Sequence, residues 1–306
     1  MSIGSIVVFD YKLLAALAAV VERGSFERAA QALGLSQSAV SQRIKLLEAR
    51  VGQAVLVRGS PPQPTEFGRR LLNHVQQVRQ LESDLRGAVP ALDQESQPRR
   101  LRIALNADSL ATWWAPAVED FCREHALLFD LVVEDQDVGL KRMRDGDVAA
   151  CLCAAAEPVA GARSLALGRM RYRALATPAF IARWFADGVD APALRRAPVI
   201  VFGPDDRLQH RYLEALGVRG DFPHHLCPSS EGFVHMVAAG LGFGMLPELQ
   251  VQRELAAGEL RELIPERSVD VPLYWHHWRQ GGALLSALTA HLARVAGRWL
   301  RTDAAD

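Results

Sequence analysis

The sequence predicts an α/β protein with an N-terminal winged helix-turn-helix, a long linker helix and two further α/β subdomains. Three observations predict this architecture: a helix-turn-helix pattern over 25–52, one long amphipathic helix after it, and alternating strand and helix patterns from Leu101 onwards. With 306 residues the chain is long enough for several hydrophobic cores. We expect a winged helix-turn-helix domain at 10–65, a linker helix with a hinge at 66–98, and a domain at 99–306 whose second subdomain spans roughly 172–272.

Composition excludes a membrane protein. Apolar residues make up 49% of the chain and charged residues 23%, as in soluble globular proteins. No apolar run approaches the roughly 20 residues that span a bilayer, and Ile3–Phe9 lacks the basic start of a signal peptide. We therefore expect a cytoplasmic protein with no membrane partner. The net charge is zero, but residues 10–88 hold 11 Lys and Arg against 7 Asp and Glu, which favours an amino-terminal part that faces nucleic acid.

No pattern in the chain predicts catalysis, a metal or a cofactor. There is no nucleophile paired with a base, no phosphate-binding glycine loop and no HExxH motif. Cys151 and Cys153 lie on the same side of a predicted strand, where ordinary buried thiols are favoured over a metal or redox pair. The neighbouring His276 and His277 point to opposite faces of a strand and make a poor chelate. We expect a protein that is not an enzyme and has no catalytic or metal-binding residues.

Capping residues mark the helix-turn-helix. Asp10 opens a first helix that packs beneath the pair. Ser25 is a suitable N-cap for the second helix, Gly34 suits the left-handed residue that ends it, and Ser36 caps the third helix. In the third helix the apolar positions recur at helical spacing and face inward. The opposite face carries short hydrogen-bonding side chains and one cation, as base edges and phosphates require in a major groove. These are Gln37, Ser38, Ser41, Gln42 and Lys45.

A wing and a long helix follow the third helix. The strand-like run 53–58 precedes a proline-rich return, and Arg58 sits near its tip, where a cation reaches a phosphate or a narrow minor groove; the alternative is a solvated loop arginine. Thr65 caps the helix 66–88. Its apolar stripe must pack against its own domain or a second copy, and a dimer supplies the two recognition helices of a two-fold DNA site. The stripe consists of Leu71, Val75, Val78, Leu81 and Leu85.

From Leu101 the patterns predict a mainly parallel sheet, and ligands bind such sheets at the carboxyl ends of strands. Hydroxyl and acidic side chains follow two predicted strands just before helices, within 106–112 and within 228–231. An acidic stretch, 134–137, ends another strand and offers carboxylates to a cationic ligand. The alternatives are plain helix caps and a solvated turn. Trp113 and Trp114 belong either to the wall of a ligand cleft at these strand ends or to the core. The predicted ligand residues are Asp108, Ser109, Thr112, Glu134, Asp135, Ser229, Ser230 and Glu231.

The motifs together resemble one family. The segment 25–52, the wing and the long helix resemble the amino-terminal domain of LysR-type transcriptional regulators, and GLGFGMLPE at 240–248 is similar to that family's second effector subdomain. The segments NADSLATWW, PSSEGF and DVPLYWHHWR are similar to the arginine/lysine-responsive branch. The resemblance covers 10–300. It implies periplasmic-binding-protein-like subdomains, activation of a gene for basic amino-acid export, and L-lysine or L-arginine as the effector.

The resemblance also implies site residues and partners. It places DNA contacts on Ser36 as well as on the helix face and Arg58, and it adds Leu110 and Phe202 to the effector site. Double-stranded promoter DNA, RNA polymerase, and further copies of the chain in a homodimer or homotetramer are the implied partners. Two alternatives stay open: a LysR-type regulator that answers to another metabolite, and an amino-acid-binding protein or enzyme whose amino-terminal helices only mediate assembly.

Overall fold

The computed structural model describes residues 9–57, 59–88, 99–133 and 139–302. The chain divides into two units. The first comprises Met1–Gln97, Lys141–Ala149 and Trp278–Leu285, and the second comprises Pro98–Leu140, Ala150–His277 and Ser286–Asp306. Three predictions lie outside the described residues: the wing-tip position of Arg58, the hinge at 90–98, and the acidic strand end with Glu134 and Asp135. In the described ranges, no helix has the length and apolar character needed to cross a membrane.

The first unit begins as the caps predict. The side chains of Asp10, Ser25 and Ser36 accept hydrogen bonds from the backbone N–H groups of Lys12, Arg28 and Ala39. Gly34 ends the second helix at φ 64°, a left-handed conformation that costs glycine little. These helix starts are therefore confirmed. The elements are α1 (Tyr11–Arg23), α2 (Phe26–Leu33), α3 (Gln37–Val51), β1 (Leu56–Val57), β2 (Gln63–Pro64) and α4 (Glu66–Ala88).

Helix packing and a short hairpin form the winged helix-turn-helix. Val40, Ile44 and Leu47 of α3 are buried in one core with residues of α1 and α2, as predicted. The strands β1 and β2 pair antiparallel, with Val57 opposite Gln63, and form the base of the wing. The core fixes α3 by its apolar side and leaves its polar side outward.

The long helix α4 divides its apolar stripe between two environments. Thr65 caps the helix, because its hydroxyl accepts a hydrogen bond from the N–H of Gly68 at 3.0 Å. Leu71 and Val75 are buried in the core of the first unit, whereas Leu81 is 54% exposed and Leu85 is 56% exposed. The helix therefore packs on its own domain at its start and presents apolar side chains to solvent further along.

The remaining elements alternate between strands and helices. In chain order they are β3 (Arg99–Leu105), α5 (Ala107–Ser109), a π-helical turn (Leu110–Trp114), α6 (Ala115–His125), β4 (Leu127–Val133), α7 (Gly139–Arg144), β5 (Ala150–Cys153), β6 (Ala162–Ala176), α8 (Pro178–Trp184), α9 (Ala191–Arg196), β7 (Val199–Val201), α10 (Leu208–Ala215), β8 (His224–Leu226), α11 (Ser230–Ala238), β9 (Gly244–Pro247), a 3-10 turn (Glu248–Gln250), α12 (Gln252–Ala257), β10 (Arg261–Glu262), β11 (Ser268–Trp278), α13 (Gly282–Val295) and a second 3-10 turn (Ala296–Arg298).

The sheet is mixed, which corrects the prediction of a mainly parallel one. Strand β3 pairs parallel with β4 and β5, but β11 runs antiparallel to β5, and β6 runs antiparallel to β9 and β10. The strand order is β10-β6-β11-β5-β3-β4, with β9 also on β6. The difference arises from β6 and β11, long strands of 15 and 11 residues that run antiparallel to their partners β9, β10 and β5. A second, two-stranded sheet pairs β7 parallel with β8.

The tryptophans left open between cleft and core belong to the core. Trp113 and Trp114 are 0% and 1% exposed. The ring centroid of Trp114 lies 5.5 Å from that of Phe129 and 5.9 Å from that of Trp275. These contacts fill the space between the α5–α6 segment and the sheet with aromatic rings. Cys151 and Cys153 are buried as free thiols.

Candidate functional site

The outward face of α3 carries the side chains predicted to contact DNA. Ser36, Gln37, Ser38, Gln42 and Lys45 are exposed, and Ser41 is half-buried. Ser36 also accepts the capping hydrogen bond from Ala39 at 3.2 Å, and its hydroxyl lies 3.0 Å from that of Ser38. The arrangement offers short donors and acceptors along one helix side, with the rest of the helix anchored in a core. Such a side fits a major groove.

A cavity in the second unit opens at the carboxyl ends of several strands. It is lined by residues that directly follow β3, β5 and β7, by the start of α11, and by the end of β9 with its 3-10 turn. Its empty space is about 940 Å³ including the open mouth. The lining residues used below are Asn106, Asp108, Tyr172, Phe202, Asp205, Asp206, Arg207, Arg211, Ser230 and Gln250.

Asp108 connects the two sides of this cavity. One carboxyl oxygen accepts a hydrogen bond from the hydroxyl of Tyr172 on β6 at 2.7 Å. The other lies 2.7 Å from the hydroxyl of Ser230 at the start of α11, and that hydroxyl also lies 3.0 Å from Oε1 of Gln250. Residues 122 positions apart in the sequence thus meet at one carboxyl group.

Burial controls the ionisation of Asp108. The residue keeps some exposed surface because it faces the open cavity, but its carboxyl group is enclosed by protein, and this enclosure decides its protonation. Loss of hydration raises the pKa of Asp108 above its ordinary 3.8; the hydrogen bonds from Ser230 and Tyr172 oppose this rise in part, and the charge of Asp206 adds to it. A carboxyl group in this setting is stabilised by a proton or by a cation.

The cavity carries charged groups of both signs. Asp205 is exposed, whereas the carboxylate of Asp206 accepts backbone hydrogen bonds from Phe202 at 3.1 Å and Leu208 at 2.9 Å. Arg207 and Arg211 add two guanidinium groups to the lining. A ligand with a carboxylate and a cation finds complementary partners for both.

The amide of Asn106 is a second sign of a ligand. Asn106 is 3% exposed and lines the cavity, yet among the described residues neither its amide nitrogen nor its amide oxygen has a hydrogen-bond partner. An unpartnered buried amide costs folding free energy, so it is expected where a ligand supplies the missing bonds.

An ion-pair cluster holds the 3-10 turn that carries Gln250. The guanidinium of Arg173 on β6 donates to Glu248 at 2.9 Å and also pairs with Glu262 on β10. Glu248 begins the turn that Gln250 ends. The ion pair at Glu248 therefore anchors the turn to the sheet two residues before Gln250, the residue that contacts Ser230.

The structure brings only some of the predicted ligand residues together. Asp108, Phe202 and Ser230 line the cavity; Ser109, Leu110, Thr112, Ser229 and Glu231 do not. The hydroxyl groups of Ser109, Thr112 and Ser229 are instead held by hydrogen bonds to nearby residues of their own helices. Ser109 accepts from the indole N–H of Trp113 at 3.0 Å, Thr112 donates to the carbonyl of Asp108 at 2.6 Å, and Ser229 caps α11 through Gly232.

Sequence reasoning missed several lining residues. Tyr172 and Gln250 belong to segments without a turn motif, and only strand pairing brings them to the cavity. The run Asp205-Asp206-Arg207 lies in the turn that follows the strand pattern at 199–202, so its position after a strand could have identified it. In the described part of the chain, no three His, Cys, Asp or Glu side chains are arranged to hold a metal ion.

Two family descriptions match the chain. Residues 11–69 match "Bacterial regulatory helix-turn-helix protein, lysR family", and residues 94–298 match "LysR substrate binding domain". A curated relative, the HTH-type transcriptional regulator ArgP of Pseudomonas aeruginosa (strain UCBPP-PA14), is 72% identical over 291 residues, which are 95% of this chain and 97% of the relative.

Two solved structures are similar over nearly the whole chain. The crystal structure of ArgP from Mycobacterium tuberculosis has a TM-score of 0.85 at 37% identity and covers 97% of this chain and 100% of its own. Full-length LysG from Corynebacterium glutamicum with bound effector Arg has a TM-score of 0.76 at 35% identity and covers 96% of this chain and 100% of its own.

Proposed function

Because the chain belongs to the LysR family of bacterial transcriptional regulators, which bind DNA and small-molecule effectors and are not enzymes, we propose that its effector is L-arginine or L-lysine. The observation that carries this proposal is the cavity in which carboxyl groups and guanidinium groups line the same space. The effector's carboxylate pairs with Arg207 or Arg211, and its cations pair with Asp108 and Asp205. Phe202, Ser230 and the amide of Asn106 complete the contacts. The bound arginine of the LysG structure supports the same ligand class.

We propose that DNA is read by the exposed face of α3 and by the wing. Gln37, Ser41 and Gln42 contact base edges, while Ser36, Ser38, Lys45 and Arg58 contact phosphates or the minor groove. The protein acts in the cytoplasm as a homodimer or homotetramer, with RNA polymerase as a further partner, and activates a gene for export of basic amino acids. In this proposal, residues 10–65 bind DNA, residues 66–98 pair two copies of the chain, and residues 99–306 bind the effector.

Calorimetry of the full chain with L-arginine and L-lysine tests the effector. We expect saturable heat with at least one of the two, and a rise in the free energy of unfolding of about 2.7 kcal/mol at a ligand concentration of 100 times Kd. L-glutamate is the matched control, since its anionic side chain faces Asp108 and Asp205. Absence of heat with both basic amino acids, on folded protein, removes this effector and favours a regulator of another metabolite.

Substitution of single α3 residues tests the reading of bases. Gln37→Ala and Ser41→Ala are each expected to lose about 1–3 kcal/mol of discrimination between the operator and a sequence changed at the contacted base pair. Lys45→Ala is the matched control: it should weaken all sequences alike and make the salt dependence shallower by roughly one counterion. Fluorescence anisotropy at several salt concentrations measures both. Site preference that stays unchanged in both alanine variants contradicts the assigned role, and failure to retain any promoter fragment favours a protein that does not bind DNA.

A further inference from the structure

The hydroxyl of Ser230 has one hydrogen but faces two acceptors. It lies 2.7 Å from Oδ1 of Asp108 and 3.0 Å from Oε1 of Gln250. A serine hydroxyl donates once, so an ionised Asp108 and the Gln250 oxygen cannot both be satisfied by it. With the Gln250 amide oxygen facing Ser230, one added proton satisfies every acceptor. If Oδ1 of Asp108 carries it, Asp108 donates to Ser230, Ser230 donates to Gln250, and Tyr172 donates to Oδ2 of Asp108 at 2.7 Å.

The charges around Asp108 support the added proton. The groups that face it are Tyr172 from β6, Ser230 from α11, Gln250 from the 3-10 turn and Asp206 from the segment before α10. Burial raises the pKa of Asp108, and the nearby charge of Asp206 raises it further. Arg207 and Arg211 line the same cavity. Asp108 has therefore lost its hydration, and its hydrogen-bond partners Tyr172 and Ser230 are neutral.

We propose that Asp108 is protonated in the empty cavity and that a cationic effector displaces this proton, so that Asp108 selects effectors by charge. This inference rests on the function proposed above. The ammonium or guanidinium group of the effector takes the place of the proton as the partner of Asp108, and one proton leaves to solvent. Ser230 then donates to the ionised Asp108, and the amide of Gln250 turns so that its NH₂ group donates to Ser230.

Two consequences follow for the effector. A neutral or anionic ligand leaves Asp108 protonated and gains no ion pair with it, so Asp108 favours cationic ligands. The affinity for a cationic effector rises with pH by up to about tenfold per unit while Asp108 is protonated in the empty cavity, and it becomes constant above the pKa of Asp108 there.

Calorimetry in paired buffers measures the displaced proton. The full chain is titrated with L-arginine between pH 5 and 8, at each pH in two buffers that differ in ionisation enthalpy. We expect the observed heat to differ between the buffers at the acidic end, corresponding to release of up to one proton, and to become equal as the pH rises. Equal heats in the two buffers at every pH overturn the inference while leaving arginine as the effector. Absence of any heat with both arginine and lysine instead overturns the proposed effector and this inference with it.

The substitution Asp108→Asn provides the matched variant. An asparagine amide donates to Ser230 and accepts from Tyr172, so it reproduces the hydrogen bonds of the protonated state and keeps the fold. We expect it to abolish the buffer-dependent heat and to lower the affinity for L-arginine on the order of 100-fold, since it cannot ionise. Asp205→Asn, which changes an exposed carboxylate of the same cavity, should keep the proton release. Proton release that persists in Asp108→Asn overturns the assignment to Asp108.

Discussion

Replacing Leu81 and Leu85 with lysine is expected to convert the protein into monomers and to lower its affinity for a two-fold DNA site by about 100- to 10,000-fold. Both side chains lie on α4 and are more than half exposed, whereas Leu71 and Val75 of the same stripe are already buried. We expect a second copy of α4 to cover the exposed pair. Full burial of a leucine contributes about 1.5–3 kcal/mol, so half-burial of four leucines across a dimer contributes about 3–6 kcal/mol. That free energy corresponds to the stated range of affinity.

Sedimentation measures the assembly, and fluorescence anisotropy with a palindromic operator fragment measures DNA affinity. Leu241→Lys is the matched control, because Leu241 is 47% exposed but lies outside α4 in the second unit. We expect this variant to retain the native assembly and affinity. A double lysine variant that still sediments as a dimer and binds the operator normally would show that α4 does not pair the chains through these leucines.

Replacing Trp114 with alanine is expected to destabilise the second unit by about 3–5 kcal/mol, the range for removing a large aromatic side chain from a core. The indole is 1% exposed and packs against Phe129 and Trp275, so its loss leaves a cavity among rings that cannot collapse fully. Urea unfolding followed by circular dichroism measures the change. Because Trp114 does not line the ligand cavity, effector affinity below the unfolding transition should stay within about twofold.

Trp184→Ala is the matched control for this loss. Trp184 is half-buried at the end of α8, next to the guanidinium of Arg183, and its removal should cost roughly 1 kcal/mol or less. The core assignment fails if Trp114→Ala unfolds at the wild-type urea concentration. Loss of effector binding without loss of stability would return Trp114 to the wall of the cleft.

Local chemistry explains why the amino-terminal unit was predictable. Caps and turn residues act on their immediate neighbours, so Asp10, Ser25, Gly34 and Ser36 mark helix ends wherever the rest of the chain lies. Helical spacing likewise identified the buried residues of α3. The wing required only a short run and a proline-rich return.

The sheet depended on pairings that no local pattern contains. The prediction of parallel strands followed from strand–helix alternation, which holds for β3 with its neighbours β4 and β5. It failed at β6 and β11, because a long return strand has the same alternation whichever direction its partner runs. The two-residue strand β10, Arg261–Glu262, has no apolar alternation and was invisible to the pattern.

The sequence by itself determined the helix-turn-helix, the outward polar face of α3, the cap at Thr65 and the long helix, because each depends on side chains within about one helical turn. It also identified Asp108 and Ser230 as candidate ligand residues from their positions before helices. Only the tertiary structure decided that these two meet each other together with Tyr172 and Gln250, and that Ser109 and Trp114 belong to the core. The physical reason is that desolvation and shared hydrogen bonds arise between segments that folding alone brings into contact.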